Sequence, residues 1–211
     1  MNIIKKISFS LAGLKILRGS LASLIEMPQV KNLDKFYLQY DATLLGLVNS
    51  TSLDIGCGKT PKNPFNAEKV FGIDICEDTV MNIKYADLTV EPIPFEDAKF
   101  DFITAYDFLE HIPRIIYSPT RRFPFVELMN EIWRTLKKDG MFLSHTPIYP
   151  YAPVFRDPTH VNILTDQTFS HYFDEEKRWA SGYGFYGAFK IVNQMVSGIH
   201  LISLLQKVEK I

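Results

Sequence analysis

The residues that most clearly indicate chemistry lie in the segment LDIGCGKTP, residues 53–61. Its two glycines, Gly56 and Gly58, leave bare backbone, and the carboxylate of Asp54 comes just before them. A second acid, Asp74, lies near the end of the next apolar run, KVFGIDI. Glycines let a ligand approach the backbone closely, and carboxylates accept hydrogen bonds from ammonium and hydroxyl groups. The pattern therefore predicts a loop that binds a ligand carrying such groups.

The residues around the loop discriminate among three kinds of ligand. A nucleoside triphosphate needs a Gly-Lys-Ser/Thr run, which the loop lacks. A dinucleotide needs a third small residue that opens a helix, but this chain has Pro61 there, and Asp54 would repel a pyrophosphate. An amino-acid group suits Asp54 and bare backbone, and Asp74 can accept hydrogen bonds from both ribose hydroxyls. S-adenosylmethionine carries all of these groups, so we predict it as the ligand.

The segments that must hold this loop alternate between strand and helix. Short apolar runs predict strands at TSLDI, KVFGIDI, NIKYADL, FDFITAY and MFLSHTP. Three- and four-residue periodicity predicts helices at NLDKFYLQYDATLLGLV, which begins near Asn32 or Asp34, at DFLEHI, at FVELMNEIWRTLKKDG, which ends at Gly140, and at TDQTFSHYF. Two final strands flank Ser197-Gly198. We therefore predict an α/β, Rossmann-like fold with a seven-stranded, mostly parallel sheet, helices on both faces and a C-terminal antiparallel hairpin.

Five motifs between about residues 53 and 147 resemble, in order, those of class I S-adenosylmethionine-dependent methyltransferases of the small-molecule type: LDIGCG, GIDI, ADL, FDFITAYDFLEHI and LKKDGMFLSHTP. The resemblance implies that the two glycines pass under the methionyl group, that the acid of GIDI binds the ribose and that the acid of ADL binds the adenine amino group. It implies the cofactor-binding residues Asp54, Gly56, Cys57, Gly58, Asp74, Ile75, Asp87, Leu88 and Tyr106. One departure is the Pro-rich segment 61–66, which replaces the usual first helix.

Two segments after the fourth and fifth strands carry candidate catalytic residues, since ligands of open α/β sheets bind at the carboxyl ends of strands. In YDFLEHI, Asp107, Glu110 and His111 lie on one turn, where they either hold a divalent metal or cap the helix and support the loop. In FRDPTHVN, Asp157 and His160 either form a carboxylate–imidazole base or bond to backbone. We predict catalytic roles for His160, Asp157 and His111, and we do not favour a bound metal.

The Tyr- and Pro-rich stretch 148–166 has no regular period and falls where this family places substrate-covering insertions. Arg156 in this stretch suits an anionic group of the substrate. The stretch is loosely similar to methyltransferases of bacterial surface-glycan clusters. His145, at the end of the fifth strand, fits a core position as well as a catalytic one.

Composition restricts the partners and the compartment. The 211 residues carry a formal net charge of -1, which gives no basic surface for nucleic acid. Two cysteines make neither a disulfide framework nor a zinc pattern, which favours a reducing, cytoplasmic compartment. In residues 1–28, lysines and an arginine interrupt a helical apolar stripe, so we expect neither a membrane-spanning helix nor a signal peptide. This helix either packs on its own domain or lies on an anionic membrane surface.

These observations predict an N-terminal helical segment at residues 1–30 and a methyltransferase domain at residues 31–211. The predicted function is methyl transfer from S-adenosylmethionine to a small molecule, with a hydroxyl of a sugar, lipid or phosphorylated metabolite as the acceptor. Methylation of a small amine is one alternative. A non-catalytic subunit that scaffolds a partner is another.

Overall fold

The computed structural model describes residues 26–209, which contain a single seven-stranded sheet. The strands are β1 (Thr51–Ile55), β2 (Lys69–Asp74), β3 (Ile83–Tyr85), β4 (Phe100–Tyr106), β5 (Leu136–Pro147), β6 (Phe189–Ser197) and β7 (His200–Lys207). Their order in the sheet is β3-β2-β1-β4-β5-β7-β6. Strands β1 to β5 pair in parallel, whereas β7 is antiparallel to both β5 and β6. The predicted fold class is confirmed.

The helices are shorter than the sequence pattern predicts. They are α1 (Leu33–Tyr37), α2 (Pro124–Thr135), α3 (Pro153–Arg156) and α4 (Gln167–Tyr172), with short 3₁₀ helices at Leu38–Tyr40, Leu109–His111 and Trp179–Tyr183. Helix α1 begins at the predicted cap, because the side chain of Asn32 accepts a hydrogen bond from the backbone N–H of Lys35. The prediction that α2 continues to Gly140 is wrong, because Leu136 is fully buried and pairs with Phe100 of β4.

Side chains of the central strands alternate between two hydrophobic cores. On one face, Ile103 and Phe142 pack with the apolar side of α2 and with α4. On the other face, Phe102 and Leu143 pack with α1 and with Phe65. Phe65 comes from the Pro-rich connection between β1 and β2, which contains no helix. Its fully buried ring, which contributes about 1.5–3 kcal/mol, covers part of the sheet that a helix would otherwise cover.

The sheet brings three loops together at the carboxyl ends of its parallel strands. Ile55, the last residue of β1, pairs with Ile73 of β2 on one side and with Ala105 of β4 on the other. The loop after β1, the acid at the end of β2 and the turn after β4 therefore begin side by side. This is the edge at which the predicted ligand would bind.

The predicted N-terminal helix, residues 1–28, lies almost entirely outside the described residues, so the division at residue 30 stays a prediction. Among residues 26–209, no helix has the length and apolar character needed to cross a membrane.

Candidate active site

The loop after β1 bends at the two predicted glycines. Gly56 and Gly58 have φ angles of +65° and +61°, which side-chain-bearing residues adopt at a cost. A Cβ on Gly56 would also lie 2.2 Å from Cδ2 of Phe108, so this position leaves no room for a side chain. The backbone N–H groups of Gly56 and Cys57 both donate to the carbonyl of Ile73, at 2.9 and 3.1 Å. The loop is therefore held against β2 with its backbone bare.

Asp54 has a different position from the one expected of a ligand-binding acid. Its side chain is buried, and its Oδ1 accepts a hydrogen bond from the hydroxyl of Thr104 at 2.6 Å. Its Oδ2 accepts from the backbone N–H of Lys62 at 2.8 Å. Burial raises the pKa of Asp54 to about 6, although these hydrogen bonds and the charge of Lys62 oppose the increase. The carboxylate thus ties the loop to β4 and does not line the cavity described below.

Cys57, between the two glycines, has its thiol turned into the protein. Burial, and the nearby charges of Asp54 and Asp74, raise the pKa of the Cys57 thiol to about 12. A neutral thiol is a poor nucleophile. Cys57 is therefore a small residue of the loop without chemistry of its own.

Asp74, at the end of β2, faces the loop. Its Oδ2 accepts a hydrogen bond from the backbone N–H of Gly58 at 2.8 Å, and its Oδ1 accepts from the N–H of Cys76 at 3.3 Å. Each carboxylate oxygen has two lone pairs, so both oxygens keep the capacity to accept a hydroxyl. Asp74 is placed to fix the loop and to bind a diol at the same time.

A cavity of about 290 Å³ opens beside this acid. Its walls are formed by Gly56, Ile73, Asp74, Ile75, Ala86, Asp87, Leu88, Thr89, Phe108, His111 and Ile112. Five of the nine predicted cofactor-binding residues are among them. The cavity joins the carboxylates of Asp74 and Asp87 to apolar side chains, and a nucleoside joins hydroxyls to a planar base. The geometry therefore suits the adenosine part of the predicted ligand, and we call this space the adenosine cavity.

Tyr106 is not among the residues that line this cavity, in contrast to the expectation that it flanks the cofactor. It packs on the α1 side of the sheet, with Nζ of Lys62 4.4 Å from its ring centroid. The reason is strand periodicity, because Tyr106 shares the face of Phe102, four residues earlier. The aromatic residue that lines the cavity is Phe108, which the sequence analysis did not single out.

The predicted catalytic residues lie near one another, but a threonine that the sequence analysis did not single out links them. The hydroxyl of Thr159 donates to Oδ1 of Asp157 at 2.6 Å and lies 3.0 Å from Nδ1 of His111. Since the hydroxyl has one proton and the carboxylate accepts it, Nδ1 of His111 is assigned as the donor to Thr159. In the neutral ring, Nε2 of His111 is then free to accept a proton. His111 is among the residues that line the cavity.

His160 pairs only loosely with the predicted carboxylate. Its Nε2 lies 4.0 Å from Oδ2 of Asp157, beyond hydrogen-bond distance, and its Nδ1 lies 3.0 Å from the carbonyl oxygen of Val154. Its ring packs edge-on against His111, with centroids 4.9 Å apart. His160 therefore supports the His111 ring and is not itself the imidazole oriented by Asp157.

The polar side chains of the turn after β4 belong to two separate clusters. Glu110 and His111 lie with His160, and Asp107 lies with His145 and His200. Glu110 is buried, its Oε2 accepts from the hydroxyl of Thr146 at 2.9 Å, and its Oε1 has no hydrogen-bond partner within residues 26–209. Burial raises the pKa of Glu110. One ligand atom each of Glu110, His111 and His160 lies within 4.8 Å of the others. Asp107, which the sequence places with Glu110 and His111 as one alternative for a metal site, lies instead with His145 and His200.

Comparison with known proteins agrees with this geometry. Residues 53–144 match the family described as a methyltransferase domain. No curated protein matches the sequence at a significant level. The matched range begins within β1 and ends within β5, and it includes all the residues that line the cavity.

The fold is similar to several solved structures at low sequence identity. The 1,6-didemethyltoxoflavin-N1-methyltransferase of Burkholderia thailandensis, solved with S-adenosylhomocysteine, is 12% identical over 97% of this chain and 86% of its own, with a TM-score of 0.52. A S-adenosylmethionine-dependent methyltransferase of Archaeoglobus fulgidus is 15% identical over 92% and 93%, with a TM-score of 0.50. The cyclase SpnF is 16% identical over 83% and 80%, with a TM-score of 0.54.

These likenesses establish the fold alone, since one of the three structures is a cyclase. The family match adds the motifs that the fold holds at the ligand-binding edge. Residues 53–144 are therefore a methyltransferase domain, whose cofactor is S-adenosylmethionine.

Proposed function

We propose that the enzyme methylates a hydroxyl of a small-molecule acceptor, namely a sugar, a lipid or a phosphorylated metabolite. The observation that carries the proposal is the hydrogen-bonded series from Asp157 through Thr159 to His111. A hydroxyl is a weak nucleophile until a base takes its proton, whereas an unprotonated amine needs no base. A supported imidazole beside the cofactor cavity therefore favours an oxygen acceptor.

The reaction is an in-line displacement at the methyl carbon of the sulfonium. The acceptor oxygen forms a bond to that carbon, the carbon–sulfur bond breaks, and its electron pair returns to sulfur. The acceptor proton moves to Nε2 of His111, and the charge of Asp157, relayed through the Thr159 hydroxyl, stabilises the imidazolium that forms. The products are a methyl ether, S-adenosylhomocysteine and a protonated His111, which then releases its proton to solvent.

A second candidate for the same side chains is a divalent metal that orients the hydroxyl. The observation that favours it is Oε1 of Glu110, which is buried near His111 and His160 and has no hydrogen-bond partner in the part of the chain that the structure describes. Replacement of Glu110 by Gln distinguishes the two mechanisms. It removes a metal-binding charge but leaves the series from Asp157 to His111 intact.

The choice of acceptor extends the proposal to the insertion at residues 148–166. Its loose similarity to methyltransferases of surface-glycan clusters supports a sugar acceptor and a role in glycan biosynthesis. An anionic group on that acceptor would pair with Arg156, which ends α3. We further propose that the enzyme is cytoplasmic and that residues 1–28 attach it to the surface of an anionic membrane.

The test compares His111→Ala with His171→Ala, a matched change on α4 outside the cavity. Formation of S-adenosylhomocysteine is followed with a panel of hydroxyl and amine acceptors. We expect His111→Ala to lower turnover by about 10²–10⁴-fold. His171→Ala should leave turnover unchanged.

Three other results separate the alternatives. Full turnover of His111→Ala on a hydroxyl acceptor would exclude the proposed base. Loss of activity in Glu110→Gln, together with inactivation by a chelator, would favour the metal mechanism. Activity on amines alone would indicate N-methylation, and no binding of S-adenosylmethionine in calorimetry would leave only a scaffold role.

A further inference from the structure

Two histidines and an aspartate meet at the carboxyl edge of the central strands, outside the residues that line the adenosine cavity. Asp107 directly follows β4, and His145 lies in β5 opposite Tyr106. His200 is the first residue of β7, where it pairs with Pro147 of β5. Because residues two apart on a strand share a face, His145 and His200 lie on the same side of the sheet. Antiparallel insertion of β7 thus adds a second imidazole to this edge.

The three side chains converge on a small volume. Oδ1 of Asp107 lies 3.1 Å from Nε2 of His200 and 3.6 Å from Nδ1 of His145. The two imidazole rings are stacked, with centroids 4.2 Å apart, and one ligand atom of each of the three residues lies within 4.8 Å of the others. Ligand atoms around a tetrahedral zinc ion are about 3.4 Å apart, given bonds of about 2.1 Å. The cluster therefore has nearly the spacing of a metal site.

Internal hydrogen bonds account for only part of this arrangement, because Oδ1 of Asp107 is within hydrogen-bond distance of His200 but not of His145. Nδ1 of His145 is buried and has no hydrogen-bond partner among the described residues. Asp107 has a φ of +49°, a conformation that costs free energy outside glycine, and its N–H donates to the carbonyl of His145 at 2.8 Å. The backbone therefore fixes the carboxylate beside the unpartnered nitrogen. The Asp107 side chain is 55% exposed, so the cluster is open to solvent on that side.

We propose that Asp107, His145 and His200 form a binding site for a divalent transition-metal ion such as zinc. Two imidazole nitrogens and one carboxylate oxygen are the ligands that zinc and cobalt prefer, whereas magnesium and calcium prefer oxygen. Three protein ligands leave a coordination position for water or a substrate oxygen. Bound metal would also give Nδ1 of His145 the partner it lacks.

This site is distinct from the cluster of Glu110, His111 and His160. In that cluster, Nδ1 of His111 is engaged by Thr159, and Nδ1 of His160 lies within hydrogen-bond distance of the carbonyl of Val154. In the cluster of Asp107, by contrast, Nδ1 of His145 has no hydrogen-bond partner among residues 26–209, and Nε2 of His200 lies 3.1 Å from Oδ1 of Asp107. The proposal does not depend on the nature of the acceptor, and its failure would leave the proposed methyl transfer intact.

The test is a cobalt titration of the full-length protein after removal of metals with a chelator. Visible absorption reports the cobalt site, and elemental analysis after dialysis against zinc gives the stoichiometry. We expect one ion per chain. Loss of a residue that only hydrogen-bonds to a metal ligand weakens metal binding by about 10–100-fold. His145→Ala and His200→Ala each remove a ligand and should weaken binding by more than this. Asp107→Asn, which retains the size of the side chain but removes its charge, should also weaken metal binding.

His160→Ala and His171→Ala are the controls and should leave metal binding unchanged. Calorimetry with S-adenosylhomocysteine on each variant reports whether the fold is intact. No cobalt or zinc bound by the wild-type protein would overturn the proposal. So would binding that survives both His145→Ala and His200→Ala, or binding that is lost in His160→Ala.

Discussion

Replacement of Asp54 by Asn should remove a pH dependence from the stability of the fold. Burial raises the pKa of Asp54 to about 6, against an ordinary value of 3.8. The folded state therefore binds this proton more tightly than the unfolded state does. By linkage, the contribution of Asp54 to the free energy of unfolding is complete below about pH 4 and is lost as the pH rises through about 6. A difference of about two pKa units corresponds to about 3 kcal/mol.

The assay is urea unfolding of the ligand-free protein at several pH values from 4 to 7. Asparagine retains an oxygen that can accept the N–H of Lys62, but it does not titrate. The free energy of unfolding of the wild type should fall over this range relative to that of Asp54→Asn, by up to about 3 kcal/mol. Curves that stay parallel within about 0.5 kcal/mol would refute the reasoning.

Asp41→Asn is the control, because the contribution of Asp41 changes mainly below about pH 4 and should leave the wild-type and Asp41→Asn curves nearly parallel from about pH 4 to 7. Hydrogen bonds from the side chain of Asn66 and the backbone of Thr43 lower the pKa of Asp41. Stability from this carboxylate is present at neutral pH and is lost as the pH falls through its lowered pKa. A general response of the fold to acid would change both variants in the same direction.

Three further predictions concern ligand and membrane binding. Asp74→Ala should weaken S-adenosylmethionine binding more than about tenfold, or about 1.4 kcal/mol, in calorimetry, and unchanged affinity would remove Asp74 from the site. Gly56→Ala should abolish that binding, because the new Cβ clashes with Phe108 and because alanine is strained at the positive φ of this position. Adding Phe108→Ala should restore only the affinity that is lost through the clash. Normal affinity of the single variant would contradict this prediction. Deletion of residues 1–28 should abolish sedimentation with anionic vesicles and leave the core folded, whereas an unfolded core would favour a helix packed on its own domain.

Local sequence signals predicted the parts of the fold that local interactions determine. The segment FDFITAY forms β4 with the predicted bounds, Asn32 caps α1, and Gly198 adopts the positive φ that the predicted hairpin needs. Asp74, Asp87 and the glycine loop could be predicted for a similar reason, because their positions relative to strand ends determine where they lie in the sheet.

The remaining features depend on contacts between distant segments. The helical period of α2 continues through the KKDG segment, but pairing of Leu136 with Phe100 ends the helix earlier. Thr159 forms its link to His111 only because the insertion folds back over the turn after β4. His200 reaches Asp107 only because β7 lies between β5 and β6, which nothing in the hairpin sequence indicates.

The position of β7 also determines when the sheet can be completed during protein synthesis. Strand β5 pairs with β4 on one side, but its other partner, β7, comes roughly fifty residues later in the chain. At about 5–20 residues per second, a ribosome needs about 3–10 s to make that stretch. During that time the outer edge of β5, with apolar residues such as Phe142 and Leu143, has unpaired backbone groups that another nascent chain can bind. A chaperone that covers this edge until β7 is made would therefore increase the yield of folded protein.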